Sequence, residues 1–351
     1  MLTTLPAMAR AGASLAAPAP ATPAPATPAP AAPFSERPKL LVAGPSDGSL
    51  NRWADALQPA LEQSFPPETI IHRTEVGSSD GVTGANQFEA RGAPDGLTVL
   101  LAPGLAAFAW LVGDPRAQFD VGRWVPVIAG TSAGIIVGRP TVLAPNGRAR
   151  VAAAGPTGFD LPALLGVQLL GARMEPVFGL AEPGAAFSAF SQGAVDAVLL
   201  RGHRVPEQFT AFAEAGAQPL FALGVMDDTG RPVRDPAFAD VPLFTERYAA
   251  RTGNRPGGPM FEAWAAAAAA AQLEFGLVLP QLTPASMVAL WRRAGADAVA
   301  ALGVQAAAST VSVRPLAGLA ATANTGALAA SAPALLELRR WLAGRLNWKP
   351  A

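Results

Sequence analysis

The chain has 351 residues, with 26 basic and 26 acidic side chains, no cysteine and two histidines, His72 and His203. A net charge of zero supplies no field that would attract nucleic acid. The composition cannot supply a thiolate site, a disulfide or a histidine-rich metal site, but the length allows two lobes that each bury a core. We therefore expect no nucleic-acid partner, no metal and no cofactor.

Residues 1–36 are dominated by alanine and proline, with Arg10 near the start. A segment of this composition cannot pack a core. Its first part is typical of a short secretory signal peptide, with small residues suited to cleavage near positions 16–21, and its second part of a stiff Pro-rich linker. The alternative is a disordered tail on a cytoplasmic protein.

From Lys39 onward the chain alternates strand, small-residue loop and helix, which is typical of a parallel α/β sheet. Strands are predicted at 40–43, 70–74 and 98–101. After the first strand, one helical face is apolar, because it collects Leu50, Trp53, Leu57 and Leu61.

A second copy of this plan follows two apolar runs at 124–128 and 135–137. Strands are predicted at 151–154, 176–178, 195–200, 219–225 and 275–279, and helices after residue 158, at 183–192 and along the Ala-rich run that begins at Ala263. Gln272 and Glu274 interrupt that run, so we interpret it as a soluble helix rather than a membrane span. The sequence predicts an extended passage at 231–259, a helix capped by Thr283, and helical structure from there to the end.

Glycine and hydroxyl residues concentrate in the loops that precede helices. Gly77, Gly81 and Gly84 let the backbone approach a ligand closely, and the N–H groups that open a helix can hold a carboxylate or phosphate. Two helix starts directed into one cleft could hold a carboxylate without any Lys or Arg. The alternative for each hydroxyl group is that it only caps its helix.

Six short motifs resemble, in the same order, those of the substrate-binding receptors of tripartite tricarboxylate transporters, the Bug-type extracytoplasmic solute receptors. They cover residues 38–300 and lie at 42–51, 81–84, 93–98, 192–196, 238–246 and 279–284. The resemblance implies a type II periplasmic-binding-protein fold, with two α/β lobes and a ligand cleft between them. It places lobe 1 at 37–138 plus 260–351, and lobe 2 at 139–259.

The resemblance also implies a function. The expected protein is a periplasmic, monomeric receptor that captures a small organic carboxylate by lobe closure and delivers it to membrane transporter subunits. No catalytic residue is predicted. The loops and the resemblance together predict ligand-binding residues, namely Ser46, Gly48, Ser49, Asn51, Ser78, Ser79, Gly81, Thr83, Gly84 and Thr157. Arg201 and His203 are weaker candidates, and Arg52 is assigned to a solvated helix face.

The chain departs from the family pattern in several places. Asn51 replaces a usual acidic residue, Asp160 stands where a histidine is often found, and residues 179–181 and 252–272 look unlike the family. These departures keep open a ligand-sensing or structural module that is no longer coupled to uptake. An α/β hydrolase-type enzyme with Ser46 or Ser79 as nucleophile is a further alternative, but neither histidine lies in a recognisable catalytic context.

Overall fold

The computed structural model describes residues 34, 36–144, 147–227, 229 and 231–349. Apart from residues 34 and 36, the predicted signal peptide and linker at 1–36 lie outside the described residues. The strands are β1 (Lys39–Val42), β2 (His72–Glu75), β3 (Thr98–Ala102), β4 (Val125–Ser132), β5 (Gly134–Gly138), β6 (Arg148–Ala152), β7 (Arg173–Val177), β8 (Ala197–Arg201), β9 (Gln218–Ala222), β10 (Val225–Met226), β11 (Pro232–Val233), β12 (Leu273–Leu279) and β13 (Val313–Ala317). The helices are α1 (Ser49–Ser64), α2 (Val82–Arg91), α3 (Gly104–Val112), α4 (Leu161–Leu169), α5 (Pro183–Ser191), α6 (Val205–Glu214), α7 (Phe244–Thr252), α8 (Pro259–Gln272), α9 (Ala285–Ala300), α10 (Leu302–Thr310), α11 (Gly318–Gly326) and α12 (Ala332–Leu346).

Two large sheets share one plan. The first has the order β13-β4-β12-β3-β1-β2 and the second has the order β7-β6-β8-β5-β9. Each sheet combines parallel strands with an antiparallel strand, β12 or β5, which is the first strand of that sheet after the chain returns from or leaves the other one. The first sheet has a second antiparallel strand, β13, at its edge. This arrangement confirms the predicted fold of two α/β lobes.

The chain passes from the first sheet to the second at Ala133, and it returns through α8 into β12 at Leu273. The lobe limits given above remain a prediction, and β5, which they assign to lobe 1, pairs with strands of the second sheet. Only Ala133 separates the end of β4 from the start of β5, so the connection between the two sheets is short.

The helical spacing of apolar residues explains how α1 packs in the first lobe. Leu50, Trp53, Leu57 and Leu61 are buried on the sheet-facing side of α1, as predicted. Burial of each such side chain stabilises the fold by roughly 1.5–3 kcal/mol. Trp291 of α9 closes the same core, since its ring is fully buried and its Nε1–H donates to the Gly96 carbonyl at 2.8 Å.

The Ala-rich helix α8 packs against helices of both lobes. It contacts α3 and α12 of lobe 1 and α4 of lobe 2. Small side chains permit this close approach, and a Cβ at Gly104 of α3 would collide with the Ala270 carbonyl oxygen. Trp264 fastens α8 to α4, because its Nε1–H donates to the Pro162 carbonyl at 3.0 Å. Among the described residues, no helix combines the length and apolarity that a membrane crossing requires.

Three local predictions are wrong. The passage at 231–259 contains α7, whose Phe244 ring stacks on Trp264 at 3.9 Å and whose Glu246 carboxylate accepts the Leu243 N–H at 2.8 Å. The C-terminal part contains a strand, β13, which pairs with β4. Thr283 does not cap α9, because its hydroxyl donates to the Pro280 carbonyl at 2.8 Å.

Candidate functional site

The carboxyl ends of the parallel strands gather the loops that carry the predicted site. Helices α1, α2 and α3 start just after β1, β2 and β3, and α4, α5 and α6 start just after β6, β7 and β8. The first N–H groups of each helix have no partner within the helix. Both lobes therefore direct helix starts toward the carboxyl edge of their sheet, which is the usual ligand side of an open α/β sheet.

The loop before α1 is held together by Asn51. Its Nδ2 donates to the Ser46 carbonyl at 2.6 Å, while its Oδ1 is buried without a hydrogen-bond partner among the described residues. Gly48 is the N-cap residue, and a Cβ there would lie 3.1 Å from the Pro45 carbonyl oxygen. Ser46 and Ser49 are exposed. The Asn51 side chain therefore stabilises the loop through its Nδ2 donor, whereas its Oδ1 acceptor has no partner among the described residues.

The loop before α2 is built for close packing. Gly81 has φ 74°, a left-handed conformation, and a Cβ at Gly84 would lie 2.6 Å from the Cα of Ala43 in the strand-to-loop junction after β1. Asp80 forms an Asx turn by accepting the Val82 N–H at 3.2 Å. These two glycines let α2 lie directly on the sheet.

The hydroxyl residues of this second loop line none of the cavities described below. Ser78, Ser79 and Thr83 are exposed, and Ser78 donates to the Asp80 carboxylate at 2.9 Å. Asp80 also pairs with Arg116 at 3.0 Å. In this conformation the Ser78 hydroxyl is engaged within its own loop and is not part of a shared cleft.

A cavity of about 330 Å³ lies at the carboxyl edge of the second sheet and touches lobe 1 at Leu105, and we call it the cleft cavity. Lobe 1 contributes Leu105 from the first turn of α3. Lobe 2 contributes the loops that precede α4 and α5, the end of β8 and part of α6. These lining residues include Thr157, Gly158, Phe159, Asp160, Ala181, Glu182, Arg201 and Gln208. Phe159 also packs edge-on against Phe108 of α3, with ring centroids 5.7 Å apart. The cleft cavity therefore brings the predicted residue Thr157 together with lobe 1.

The loop at 155–160 offers hydrogen-bond donors to this cavity. Among the described residues, no acceptor pairs with the backbone N–H groups of Thr157, Gly158 and Phe159. A Cβ at Gly155 or Gly158 would meet nothing within 4 Å. Free N–H groups in an open glycine loop at a helix start form a good anion site.

Arg201 lies at the junction of the two lobes. Its Nη2 pairs with Glu274 of β12 at 2.8 Å, its Nε donates to the Ala271 carbonyl at 2.7 Å, and its guanidinium carbon lies 3.7 Å from the Phe159 ring centroid. Glu274 also accepts the Ser132 hydroxyl at 2.7 Å. Burial lowers the pKa of Arg201, against the opposing effect of Glu274 and Asp160. The guanidinium stays charged because even a lowered arginine pKa lies far above neutrality.

Asp160 is the acidic group of the cleft cavity with a perturbed pKa. Burial raises the pKa of its carboxyl above the ordinary value of 3.8, although the Ala154 N–H donates to Oδ2 at 2.8 Å and Arg201 acts in the opposite direction. Desolvation therefore outweighs the stabilising contacts of its ionised form.

A second cavity of about 380 Å³, the side cavity, adjoins Glu274. It contains Ser49 together with Arg52, Trp53 and His203, and α10 and β13 provide apolar walls. Arg52 is exposed, as predicted, and also borders this cavity, and His203 of lobe 2 lines it opposite the start of α1. Sequence reasoning assigned little weight to both residues, because neither lies in a motif.

A third cavity, of about 290 Å³, lies away from these loops, between α7, α8 and α11. Its walls are mostly apolar and include Phe244, Phe261 and Trp264. It contains none of the predicted site residues. The carboxyl-edge loops make the cleft cavity the better candidate site.

Comparison with solved structures identifies the architecture. A crystal structure of a TctC solute-binding protein from Polaromonas, without ligand, is 17% identical and superimposes with a TM-score of 0.62, covering 90% of this chain and 99% of that one. The chain has the fold of a TctC solute-binding protein. The predicted type II periplasmic-binding-protein fold is therefore confirmed.

Other solved structures align over similar lengths with lower scores. MatC from Rhodopseudomonas palustris with bound malate is 17% identical, with a TM-score of 0.45 and coverage of 89% and 100%. Another R. palustris protein, Rpa4515 with adipate, is 15% identical, with a TM-score of 0.46 and coverage of 89% and 97%. No protein-family model and no curated protein sequence matches the chain.

The TctC-type fold gathers only some of the predicted residues. Thr157 lies in the cleft cavity and Ser49 in the side cavity, whereas the remaining predicted residues line none of the cavities described above. Arg201 and Glu274 are the main residues at the lobe junction that sequence reasoning underrated. One indication in the sequence pointed to Arg201 as functional, its position at the end of a predicted strand, and there was none for Glu274.

Proposed function

We propose that this protein is an extracytoplasmic receptor that captures a small organic carboxylate by lobe closure. We further propose that it acts in the periplasm and delivers this ligand to the membrane subunits of a tripartite tricarboxylate-type transporter. The observation that carries the proposal is the cleft cavity, in which carboxyl-edge loops of lobe 2 and Leu105 of lobe 1 enclose about 330 Å³ in a TctC-type fold.

In this proposal the carboxylate binds to the start of α4. The free N–H groups at 157–159 and the Thr157 hydroxyl provide donors, and the helix start adds about half a positive charge. Backbone donors of this kind need no lysine or arginine. Loop 155–160 is therefore the primary anchor for the ligand.

Lobe 1 completes the proposed site on closure. The starts of α1 and α2 carry Ser49, Ser78 and Ser79 on exposed loops, so these groups are free to approach a ligand. The crossings at Ala133 and Leu273 are the natural hinges, since the chain changes sheet there. Closure brings a second set of helix starts toward the carboxylate, which accounts for the predicted residues that lie outside the cleft cavity.

The test is thermal unfolding of the full chain with a panel of mono-, di- and tricarboxylates, aromatic acids and amino acids. A ligand at about a hundred times its Kd should stabilise the protein by about 2.7 kcal/mol. Thr157→Ala should weaken the selected ligand by about tenfold, since it removes one hydrogen bond to a charged group. Thr210→Ala, an exposed position on α6, is the matched control. Absence of any shift across the panel would contradict the proposed receptor function.

Coupling to a transporter needs its own measurement. The full chain with and without the identified carboxylate can be presented to membranes that contain the cognate transporter subunits. Ligand-dependent retention supports delivery to a transporter. Retention that ignores the ligand contradicts it, because uptake requires the closed, loaded form to be recognised.

A further inference from the structure

The third cavity has walls from both lobes and lies beside the crossing at Leu273. Strand β10 of lobe 2 contacts α11 of lobe 1, both elements line the cavity, and α8 borders it from Phe261 to Gln272. Its volume of about 290 Å³ is roughly twice that of an apolar cavity of about 150 Å³ that holds benzene. The third cavity therefore has room for one small molecule of about two fused rings.

Three aromatic rings form one wall of this cavity. The Phe244 ring stacks on Trp264 with centroids 3.9 Å apart, and the Phe261 ring lies 5.7 Å from Trp264 with an angle of 16° between the planes. The Trp264 N–H is already used by the Pro162 carbonyl, so the wall offers ring faces and edges without a hydrogen-bond donor. Such a wall favours an aromatic occupant, because aromatic rings pack well in stacked or edge-on arrangements.

Gln272 provides a hydrogen-bond acceptor in this cavity. The residue is 8% exposed, and its Nε2 donates to the Gly224 carbonyl at 2.5 Å. No donor among the described residues contacts its Oε1, and this oxygen is not among the fully enclosed atoms without a partner. Of the cavities described above, Gln272 lines the third one alone, so Oε1 keeps its accessible surface there. An occupant that donates one hydrogen bond would satisfy this oxygen.

The charges around the third cavity favour a neutral occupant. Among the described residues, no lysine, arginine or histidine lines it. Glu262 lines it, but both of its carboxylate oxygens accept hydrogen bonds from Ser331, one of them from the hydroxyl at 2.7 Å. Glu262 and Gln272 are also about 15 Å apart along α8, at 1.5 Å per residue. A charged group beside Gln272 would lose its hydration without gaining a partner of opposite charge.

We infer that the third cavity is a second binding site, for a small neutral aromatic molecule with one hydrogen-bond donor. The rings of Phe244, Phe261 and Trp264 pack against the ligand, and Gln272 Oε1 accepts its hydrogen bond. This site shares no residue with the cleft cavity and does not depend on the proposed carboxylate ligand.

The first test fills the cavity. Indole is the probe, and calorimetric titration of the full chain measures its affinity. Ala269→Leu adds three carbon atoms to a half-buried residue of the cavity wall and should weaken indole at least tenfold. Ala296→Leu, the same change on the exposed face of α9, is the control and should leave the affinity unchanged. Absence of indole binding, or equal binding by a folded Ala269→Leu variant, would overturn the inference.

The second test removes the acceptor. Benzothiophene has nearly the shape of indole and lacks the N–H group. Gln272→Met keeps the length of the side chain and removes Oε1, so it should weaken indole by about fivefold, the value of one hydrogen bond, and leave benzothiophene unchanged. An unchanged ratio of the two affinities would overturn the role of Gln272.

The third test locates the ligand in the unaltered protein, so it does not depend on the folding of a variant. Crystals of the full chain with 5-bromoindole give an anomalous signal from bromine. We expect this signal beside Phe244 and Trp264. A signal in the cleft cavity alone would overturn the inference and would leave the proposed receptor function intact.

Discussion

The glycine loops of the two lobes look alike in sequence and behave differently in the fold. In lobe 1, Gly81 and Gly84 lie against Pro103 and Ala43, where a Cβ would collide. In lobe 2, Gly155 and Gly158 have open space where a Cβ would project. The lobe 1 glycines allow a helix to pack on a sheet, whereas those of lobe 2 keep a backbone surface open to the cleft. A Gly-x-x-Gly pattern alone does not separate these roles.

The largest expected effect is on packing in lobe 1. Gly84→Val should reduce the free energy of unfolding by about 3 kcal/mol, because its side chain must displace the Ala43 backbone, 2.6 Å from the new Cβ. Gly155→Val should change it by less than about 1 kcal/mol. Urea unfolding of both variants provides the measurement. Equal losses would remove the distinction between the loops.

The junction between the lobes should show the next effect. Arg201→Ala should cost about 2 kcal/mol, since it leaves Glu274 without its guanidinium partner. The estimate is moderate because the two side chains are still 21% and 27% exposed. A double-mutant cycle with Glu274→Gln isolates the coupling, and Arg340→Ala on α12 is the control. Additive losses in the cycle would show that the pair does not join the lobes.

Asp160 should show a smaller effect of opposite sign. Its raised pKa means that the folded chain binds more protons than the unfolded chain, so its contribution to stability falls as the pH rises above 3.8. Asp160→Asn should therefore raise the Tm of the ligand-free protein by a few degrees at neutral pH and by less below pH 3.8. A calorimetric pH series measures this difference. A lower Tm at neutral pH would show that the contacts with Arg201 and Ala154 outweigh desolvation.

The smallest expected stability change is in the second loop of lobe 1. Replacement of Ser78, Ser79 and Thr83 by alanine should change the free energy of unfolding by less than about 1 kcal/mol, because all three are exposed. The affinity for the identified ligand should fall if this loop closes on it. Titration of the triple variant checks the point, and unchanged affinity would restrict the site to lobe 2.

Several parts of the fold could be predicted because their signals are local. The apolar face of α1 follows from helical spacing, and the alternation of strands, glycine loops and helices predicts both lobes. α7 was missed because it lies in a Pro- and Gly-rich passage, and the stacking of its Phe244 on Trp264 is visible only in the folded chain. β13 contains Pro315 and lies at a sheet edge, where proline is tolerated, so only its pairing with β4 reveals it.

The sequence by itself determined the α/β class, the paired lobes and the positions of the glycine loops at the helix starts, since these depend on spacing and backbone chemistry within short segments. Only the tertiary structure decided which loop borders the cleft and which charges it contains. Arg201 meets Glu274 across 73 positions of sequence, and Glu274 neutralises a cation that would otherwise favour an anion. Electrostatics depends on distances through space, and the folding of the two lobes sets those distances.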